Sequence, residues 1–312
     1  MTSNNNLKPI PILGILTMKR YDLLIRLIKK IDYPIDNVVI IFQEGFKDFN
    51  FNNLLNDYIK KITLITVNFN IGVSRGWNYI IENFESDYWL ISGDDNYFLE
   101  GSLKNISNFM ENNKSQNYVF CGFGMTNNTN KIYDSAGFSS FILTKNILNK
   151  IGLFDENIYP AYFEDNDLWE RIVVSKESVI TIPSAIIYSG DEKNTSSCTL
   201  HSVDSNYRNK MNECYRRNEI YFKNKLLNYN INNLKDKTKH ENYYNNQNIL
   251  VGHSDSPIFS QRIIIMSDLK KFNWQFYINS YKDLTDNNIN TQEKALYHWI
   301  EFGINEKRIS FP

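Results

Sequence analysis

Tyr88 to Leu99 reads YWLISGDDNYFL, and the fold turns on how that stretch is understood. The run Tyr88, Trp89, Leu90, Ile91, rich in aromatic and branched residues, is of the kind that forms a buried strand, and it stops at Gly93. Two adjacent carboxylates, Asp94 and Asp95, come next, followed by Asn96. At the end of a parallel strand such a pair sits where open α/β sheets bind ligands, and its hard oxygens suit Mg²⁺ or Mn²⁺ rather than zinc. That reading makes the stretch a metal and diphosphate site. A solvated turn accounts for the same residues, because Asp and Asn are ordinary turn formers.

Upstream, Pro9 to Leu16 is an apolar strand that ends in Thr17-Met18-Lys19-Arg20. Leu23, Leu24, Leu27, Ile28 and Ile31 then recur at helical spacing within Tyr21 to Ile31. After the Tyr33-Pro34 break a second strand, Asn37 to Phe42, ends in Gln43-Glu44-Gly45. The pattern predicts a helix over Leu54 to Ile62 and a third strand over Ile62 to Val67, leading into NFNIGVSRGWNYII. There Asn70 to Arg75 reads as a loop and Gly76 to Phe84 as a helix. This alternation predicts a parallel sheet with crossover helices, whose post-strand loops gather on one edge. Thr17 to Arg20, Gln43-Glu44, Asn70 to Arg75 and Asp94-Asp95 all fall there. Gly72 would let backbone approach a ligand closely, and Arg75 would reach a phosphate oxygen or a carboxylate. A turn with a surface arginine explains those two equally well.

Downstream, Gly101 to Met110 reads as a helix and Tyr118 to Phe123 as a strand, followed by TNNTNKIYDSAGFSSFIL with its small residues Ser135-Ala136-Gly137. A helix over Lys145 to Ile151 leads to GLFDENIYPAYFEDNDLWERI, where Glu164, Asp165 and Asp167 open a helix. Capping and the helix dipole account for at least one of these acids. Three packed together would repel, raising one pKa into the range of a general base. Ser178 to Tyr188 reads as a strand, followed by the polar loop SGDEKNTSSCTLHS and a helix over about Tyr207 to Leu227. His201 in that loop is either a solvated side chain or one that swings over a metal site.

Periodicity fades between residues 228 and 260, an Asn-rich linker or irregular wrap, and helical patterning returns in 261–312 with Trp274, Tyr277, Tyr281, Trp299 and Phe302. The expected organisation is a main domain over 1–227, the linker, and a small C-terminal α-helical module that packs on the main domain, on a protein partner, or on a second copy.

With 312 residues there is ample material for a core, and a net charge of −1 with 22% charged residues gives no electrostatic case for nucleic acid or an anionic membrane surface. Aromatics at 14% suit stacking on bases or sugar rings, although a biased coding composition explains much of the excess. Cys121, Cys198 and Cys214 form no CxxC pair, so neither a disulfide framework nor a zinc site is indicated and a reducing compartment is the simpler reading. No basic region precedes an apolar core at the N-terminus, and no apolar run reaches about 18 residues. The sequence therefore predicts a soluble, cytoplasmic protein.

In order along the chain, these blocks resemble a GT-A glycosyltransferase, closest to the family 2-like inverting enzymes. The strand ending in TMKR resembles the family's first strand and base-contacting turn, and NFNIGVSRGWN its Asn-x-Gly block, with Asn70, Gly72, Asn78 and the basic Arg75. SGDDNYFLEGSL resembles the DxD-type metal motif. GLFDENIYPAYFEDNDLWERI resembles the G-x-F-D-E and acceptor segments, and NEIYFKNK the usual tail. QFYINSYKDL and ALYHWIEFGINEKR resemble a small helical repeat appended to such enzymes.

The resemblance implies a GT-A α/β fold with a mixed, mainly parallel sheet flanked by helices. It also implies an inverting, metal-dependent enzyme that moves a sugar from a nucleotide-sugar donor, UDP first and GDP or dTDP next, to a glycan or glycoconjugate acceptor. On it, Asp95 holds Mn²⁺ or Mg²⁺ with Asp94 near the metal or donor ribose, and His201 is a further candidate ligand. Thr17, Arg20, Glu44, Asn70, Gly72, Arg75 and Asn78 fall on the donor side. Asp165 is the base with Glu164 beside it. Two departures stand out: Glu44 where an aspartate is commoner, and Ser189 where many relatives have a histidine. A catalytically silent glycan-binding or scaffold module is the alternative. A nucleotidyltransferase is a weaker one, since TMKRYDLL lacks a Gly-rich loop.

Overall fold

The computed structural model describes residues 8–46, 49–191, 193–194, 205–227 and 259–312. In chain order the elements are β1 (Ile10–Thr17), α1 (Tyr21–Lys29), β2 (Ile35–Gln43), β3 (Ile59–Val67), α2 (Val73–Asn83), β4 (Tyr88–Gly93), β5 (Asn96–Phe98), α3 (Ser102–Asn112), β6 (Tyr118–Thr126), β7 (Ser140–Thr144), α4 (Asn146–Lys150), α5 (Glu164–Ser175), β8 (Ser178–Ser189) and α6 (Ser205–Leu226). After residues outside the description come β9 (Phe259–Ile265), α7 (Met266–Lys271), α8 (Trp274–Ser280), α9 (Lys282–Asp286) and α10 (Gln292–His298), which runs into a π-helical turn at Trp299–Gly303.

One nine-stranded sheet runs in the order β5-β8-β6-β7-β4-β1-β2-β3-β9. β3, β2, β1 and β4 are mutually parallel, and β6 is parallel to β8, while β5, β7 and β9 pair antiparallel to their neighbours. The mixed sheet flanked by helices agrees with the expected fold class. Alternation along each strand sorts the apolar side chains. Val38, Ile40 and Phe42 pack on the face covered by α1, α3 and the C-terminal helices, and Val39 and Ile41 on the face covered by α2, α4 and α5. A strand buried on both faces needs an unbroken apolar run, which is what β1, β2 and β4 supply.

The expected helix over Leu54 to Ile62 does not form. A short 3-10 turn spans Phe51–Leu54, capped by Asn50, whose side-chain oxygen accepts from the Asn52 amide at 3.0 Å, and β3 begins at Ile59. Leu54, Leu55, Tyr58, Ile59 and Ile62 mimic helical spacing, yet IKKITLITV is rich in β-branched residues and the open edge of β2 takes all of it. Three short strands went unread in the sequence. β5 and β7 are three and five residues long, and β9 lies across the boundary between the expected linker and helical module. β9 pairs along β3 from Val67↔Phe259 to Lys61↔Ile265. The C-terminal helices share the first core with the sheet through Leu269, Tyr277, Leu284 and Trp299, and Tyr297 meets Phe46 and Phe51 at 6.0 and 6.3 Å.

Away from the sheet, two carboxylates and two cations lock α5 to α6. Asp167, fully buried, accepts from Arg171 Nε at 2.9 Å and Nη2 at 2.7 Å, and from Lys225 Nζ at 2.5 Å. Lys225 also reaches the buried Asp155 at 2.5 Å, where Tyr221 adds its hydroxyl at 2.9 Å. Arg171 spends its remaining donors on the carbonyls of Ile151 and Leu153.

Replacing Lys225 by Met leaves Asp155 and Asp167 buried with one cation between them, which is expected to cost about 3 to 5 kcal/mol. The exposed Lys223, paired only with Glu219, serves as the control, and its change to Met is expected to stay within about 0.5 kcal/mol in urea unfolding. Phe51→Ala, in the aromatic cluster that touches Tyr297, is expected to cost about 3 to 5 kcal/mol. The shared core also implies that far-UV circular dichroism will record one unfolding transition for the variant, not two.

Candidate active site

The chain leaves β1 toward β2 and β3 on one side and later returns to β4 on the other, so the C-terminal ends of β1 and β4 flank the crevice where strand order reverses. Open α/β sheets bind ligands at such a point. A cavity of about 490 Å³ opens there. It is lined by Thr17 and Met18 at the end of β1 and Gly93 to Asn96 at the end of β4, with Gln43, Asn70, Val73 and Ala136 to Ser139 around them. Pro160 to Tyr162, Glu164 and Asp165 close it from above, together with Ser189, Tyr207 and Met211. A larger cavity, about 780 Å³, lies around Lys8, Asp36, Glu111 and Lys145. Several carboxylates there are neutralised by surface lysines, Glu111 by Lys8 and Lys114 and Glu85 by Lys145. The smaller cavity holds the unusual chemistry.

Asp94 and Asp95 form the two-residue turn between β4 and β5. Asp94 is buried, and that burial, with the charge of Asp95 second, pushes its carboxyl up to about 8. Glu164, first residue of α5, is pushed up to about 8 by burial and then by Asp165, whose own carboxyl is raised chiefly by burial. Asp94 Oδ2 and Glu164 Oε2 are buried without a hydrogen-bond partner among the described residues, and the Thr17 hydroxyl lies beside the Asp94 carboxyl. Unpaired buried oxygens are costly, and two around one cavity mark a place built for something else to complete.

Asp167 does not join this group, because it faces Arg171 and Lys225. Crowding of three carboxylates therefore does not raise the pKa values here. Burial comes first, with one neighbouring charge at Glu164.

Local backbone explains how these side chains arrive. Gly72 has φ +84°, and a Cβ there would meet Tyr159 Cδ2 at 2.7 Å, so only glycine lets the Asn70 loop press on the Tyr159 segment. The Val73 amide donates to the Pro160 carbonyl at 2.7 Å, and the Tyr159 hydroxyl donates to the Asn70 carbonyl at 2.6 Å. Tyr162 and Phe163 both sit at positive φ, 72° and 75°, a strained state for aromatic residues. Asn218 of α6, buried, holds it by donating to the carbonyls of Tyr159, Ala161 and Tyr162 at 3.2, 2.9 and 3.3 Å.

Of the residues singled out in the sequence, Thr17, Asn70, Asp94, Asp95, Glu164 and Asp165 come together around the cavity. Arg20 is held by Asp22 and Asp191, Glu44 by Lys19 at 2.6 Å, and Arg75 lies over the Phe259 ring at 6.0 Å. None of the three lines the cavity. Asn78 is buried and donates to the Phe154 carbonyl at 2.9 Å while accepting from its amide at 3.0 Å, fastening α2 to the segment before α5. His201 lies outside the described residues.

Gln43, Ser189 and Tyr207 line the cavity without having been assigned a role there. Gln43 takes the Ile71 amide at 2.9 Å, and Tyr207 accepts from Asn70 at 2.8 Å, its hydroxyl pushed up to about 12 by burial. Gln43 was signalled by its place at the end of β2 and Ser189 by its departure from the family pattern, whereas Tyr207 carried no signal.

Two adjacent carboxylates with a buried, unpaired oxygen fit a hard divalent cation. Among the described residues no cluster of three or more His, Cys, Asp or Glu side chains could hold a metal, so ligand or water oxygens would have to complete a shell around Asp94 and Asp95. No helix among the described residues is long and apolar enough to cross a membrane.

No protein-family model matches the chain, and no curated protein matches it in sequence. Solved structures do match. TarS 1-349 from S. aureus in complex with UDP-GlcNAc aligns with a TM-score of 0.52 at 13% identity, covering 71% of this chain and 67% of that one. Another TarS 1-349 structure aligns at 0.47, with 13% identity over 75% and 76%. The mannosyltransferase PcManGT from Pyrobaculum calidifontis in complex with GDP-Man and Mn²⁺ aligns at 0.45, with 11% identity over 69% and 65%. At such identity the likeness is one of architecture, and together with the strand order and the crevice between β1 and β4 it identifies this chain as having the GT-A fold.

Proposed function

We propose that this protein is an inverting, metal-dependent glycosyltransferase that transfers a sugar from a nucleoside-diphosphate donor to a hydroxyl of a glycan or glycoconjugate. The observation that carries the reading is the meeting of two acidic pairs, Asp94-Asp95 and Glu164-Asp165, across one cavity at the strand-order switch, with Asp94 and Glu164 buried. TarS, of the same fold, was solved with UDP-GlcNAc bound, which supports a nucleotide-sugar as the donor.

In this reading Asp95, with Asp94, holds Mn²⁺ or Mg²⁺, and the ion supplies positive charge against the leaving diphosphate. Thr17, Asn70 and Gln43 line the donor side. Asp165 accepts the proton of the acceptor hydroxyl as that oxygen attacks the anomeric carbon from the face opposite the departing diphosphate, so the configuration inverts. Its raised pKa makes it a better proton acceptor than an ordinary carboxylate. Glu164 keeps its proton at neutral pH and can donate a hydrogen bond to acceptor or sugar.

A silent binding module is the second reading. It is favoured by Ser189, buried at the cavity where the family resemblance leads one to expect a histidine, and by the missing third metal ligand among the described residues.

Thermal unfolding with Mn²⁺ and each of UDP, GDP and dTDP tests the donor assignment, since a ligand that binds the folded chain raises its melting temperature. One nucleotide is expected to stabilise the protein and the others to do so less. Over a panel of nucleotide-sugars, Asp165→Asn is expected to lower transfer by about 10² to 10⁴-fold, and Asp95→Ala to abolish metal-dependent transfer. Transfer undiminished in both would overturn the mechanism, and nucleotide binding without transfer or donor hydrolysis would favour the silent module.

Glu164 also gives a pH signature. Folded, it keeps its proton up to about pH 8, whereas the unfolded chain releases it near the ordinary value of 4.5. Its stabilising contribution is therefore full below about pH 4.5 and is lost as pH rises toward 8. Glu164→Gln is expected to flatten the decline of stability across that window in urea titrations at stepped pH, leaving the variant relatively more stable at pH 8 than at pH 5.

A further inference from the structure

Arg26 belongs to α1 and to none of the sequence blocks discussed above. Its Nη2 donates to two carbonyls, that of Asp95 at 2.8 Å and that of Gly190 at 2.7 Å. The Gly190 amide donates to the same Asp95 carbonyl at 3.0 Å. The guanidinium lies 5.0 Å from the centroid of Tyr97 and 5.7 Å from that of Tyr188, and these two rings stack on each other at 4.9 Å with planes 12° apart. Its Nε is buried without a partner among the described residues. A planar cation that gives both bonds from one nitrogen while resting against aromatic rings is a task lysine does badly, because an ammonium is a compact point charge without the plane.

The carbonyls it grips are the informative part. One belongs to the peptide that follows Asp95, and the other lies one residue beyond Ser189, at the end of β8. Both Asp95 and Ser189 line the cavity. β5, which follows the acidic turn, is only three residues long and pairs with β8 alone, so the sheet by itself braces the turn weakly. Tyr97 and Tyr188 are the opposed residues of that short pairing. Arg26 thus ties the turn, the short strand and the end of β8 into one unit.

We propose that Arg26 is a positioning residue for the cation site: by fixing the peptide after Asp95 against the end of β8, it holds the Asp94 and Asp95 carboxylates toward the cavity before a ligand arrives. The inference rests on the reading of this turn as the cation-binding edge. Groups behind metal ligands set ligand orientation, and their loss typically weakens metal binding by about 10 to 100-fold.

The test is a titration of the full chain with Mn²⁺ in the presence of UDP, following the free ion by electron paramagnetic resonance. Arg26→Met is expected to weaken Mn²⁺ binding at least about tenfold, with Arg26→Lys recovering part of the loss. Tyr188→Leu, which keeps Arg26 and both carbonyls but removes one ring face, is expected to weaken binding less and in the same direction, and it decides the matter should Arg26→Met not fold. A folded variant that binds Mn²⁺ as tightly as the unaltered chain, even with a lowered melting temperature, overturns the positioning role while leaving the cation site intact. An unaltered chain that binds no Mn²⁺ with UDP, GDP or dTDP overturns the cation reading of the turn and the positioning role with it.

Discussion

The buried chain Arg171, Asp167, Lys225, Asp155 is the constraint on which the site depends. Its two carboxylates are fully buried, so each must be matched by a cation or the fold pays desolvation without return. Matching them fixes three segments at once: the first turn of α5 through Asp167, the end of α6 through Lys225, and the Phe154 to Asn157 segment through Asp155. Glu164 and Asp165 sit on that same first turn, so their aim into the cavity follows from where Asp167 is held. At (i, i+4) spacing, Arg171 and Asp167 lie on one helix face, with Glu164 on the same stripe one turn nearer the helix start and Asp165 turned away from it.

The other half of the site rests on a different support. The acidic turn after β4 takes its place from the parallel pairing of β1 with β4, from the antiparallel partner β7, and from Ser139 just before β7, whose carbonyl accepts the Gly93 amide at 2.9 Å and Asn96 Nδ2 at 2.7 Å. Two independently anchored acidic pairs thus meet at one opening. The loops between them, Asn70 to Val73 and Tyr159 to Phe163, touch through Gly72 and Pro160, which couples the two halves mechanically.

How much of this the sequence disclosed follows from which forces were local. The strands β1, β2 and β4 were legible because burial on both faces demands an unbroken apolar run, and α1 because its apolar residues keep to one stripe. The placing of Thr17, Asn70, Asp94 and Asp95 on one edge followed from strand alternation alone. Leu54 to Ile62 was misread because an apolar pattern that also fits 3.6 residues per turn was claimed by the free edge of β2, a tertiary fact. β9 was hidden for the same reason, since its register is set by β3, nearly two hundred residues earlier in the chain. Asp167 looked like a third site carboxylate because nothing near it in sequence says that Lys225 will meet it, and Asn78 looked like a ligand-facing residue although its amide closes a gap at Phe154. Arg26 carried no signal, because its partners are backbone carbonyls, which have no residue type to read.

The contrast between the two kinds of buried carboxylate separates scaffold from site. Asp155 and Asp167 are as buried as any acid in the chain, yet each has two or more charged or hydroxyl donors. Asp94 and Glu164 are buried to nearly the same degree and each leaves an oxygen unmatched. A fold selected only for stability would have little reason to keep the second kind, since removing or pairing such a group is the easier route to the same core. The unmatched oxygens of Asp94 and Glu164 lie around one cavity, and Asp155 and Asp167 lie outside it. At that cavity a charged ligand would supply the missing partners, and the cost is borne by the same elements that the Lys225 network stiffens.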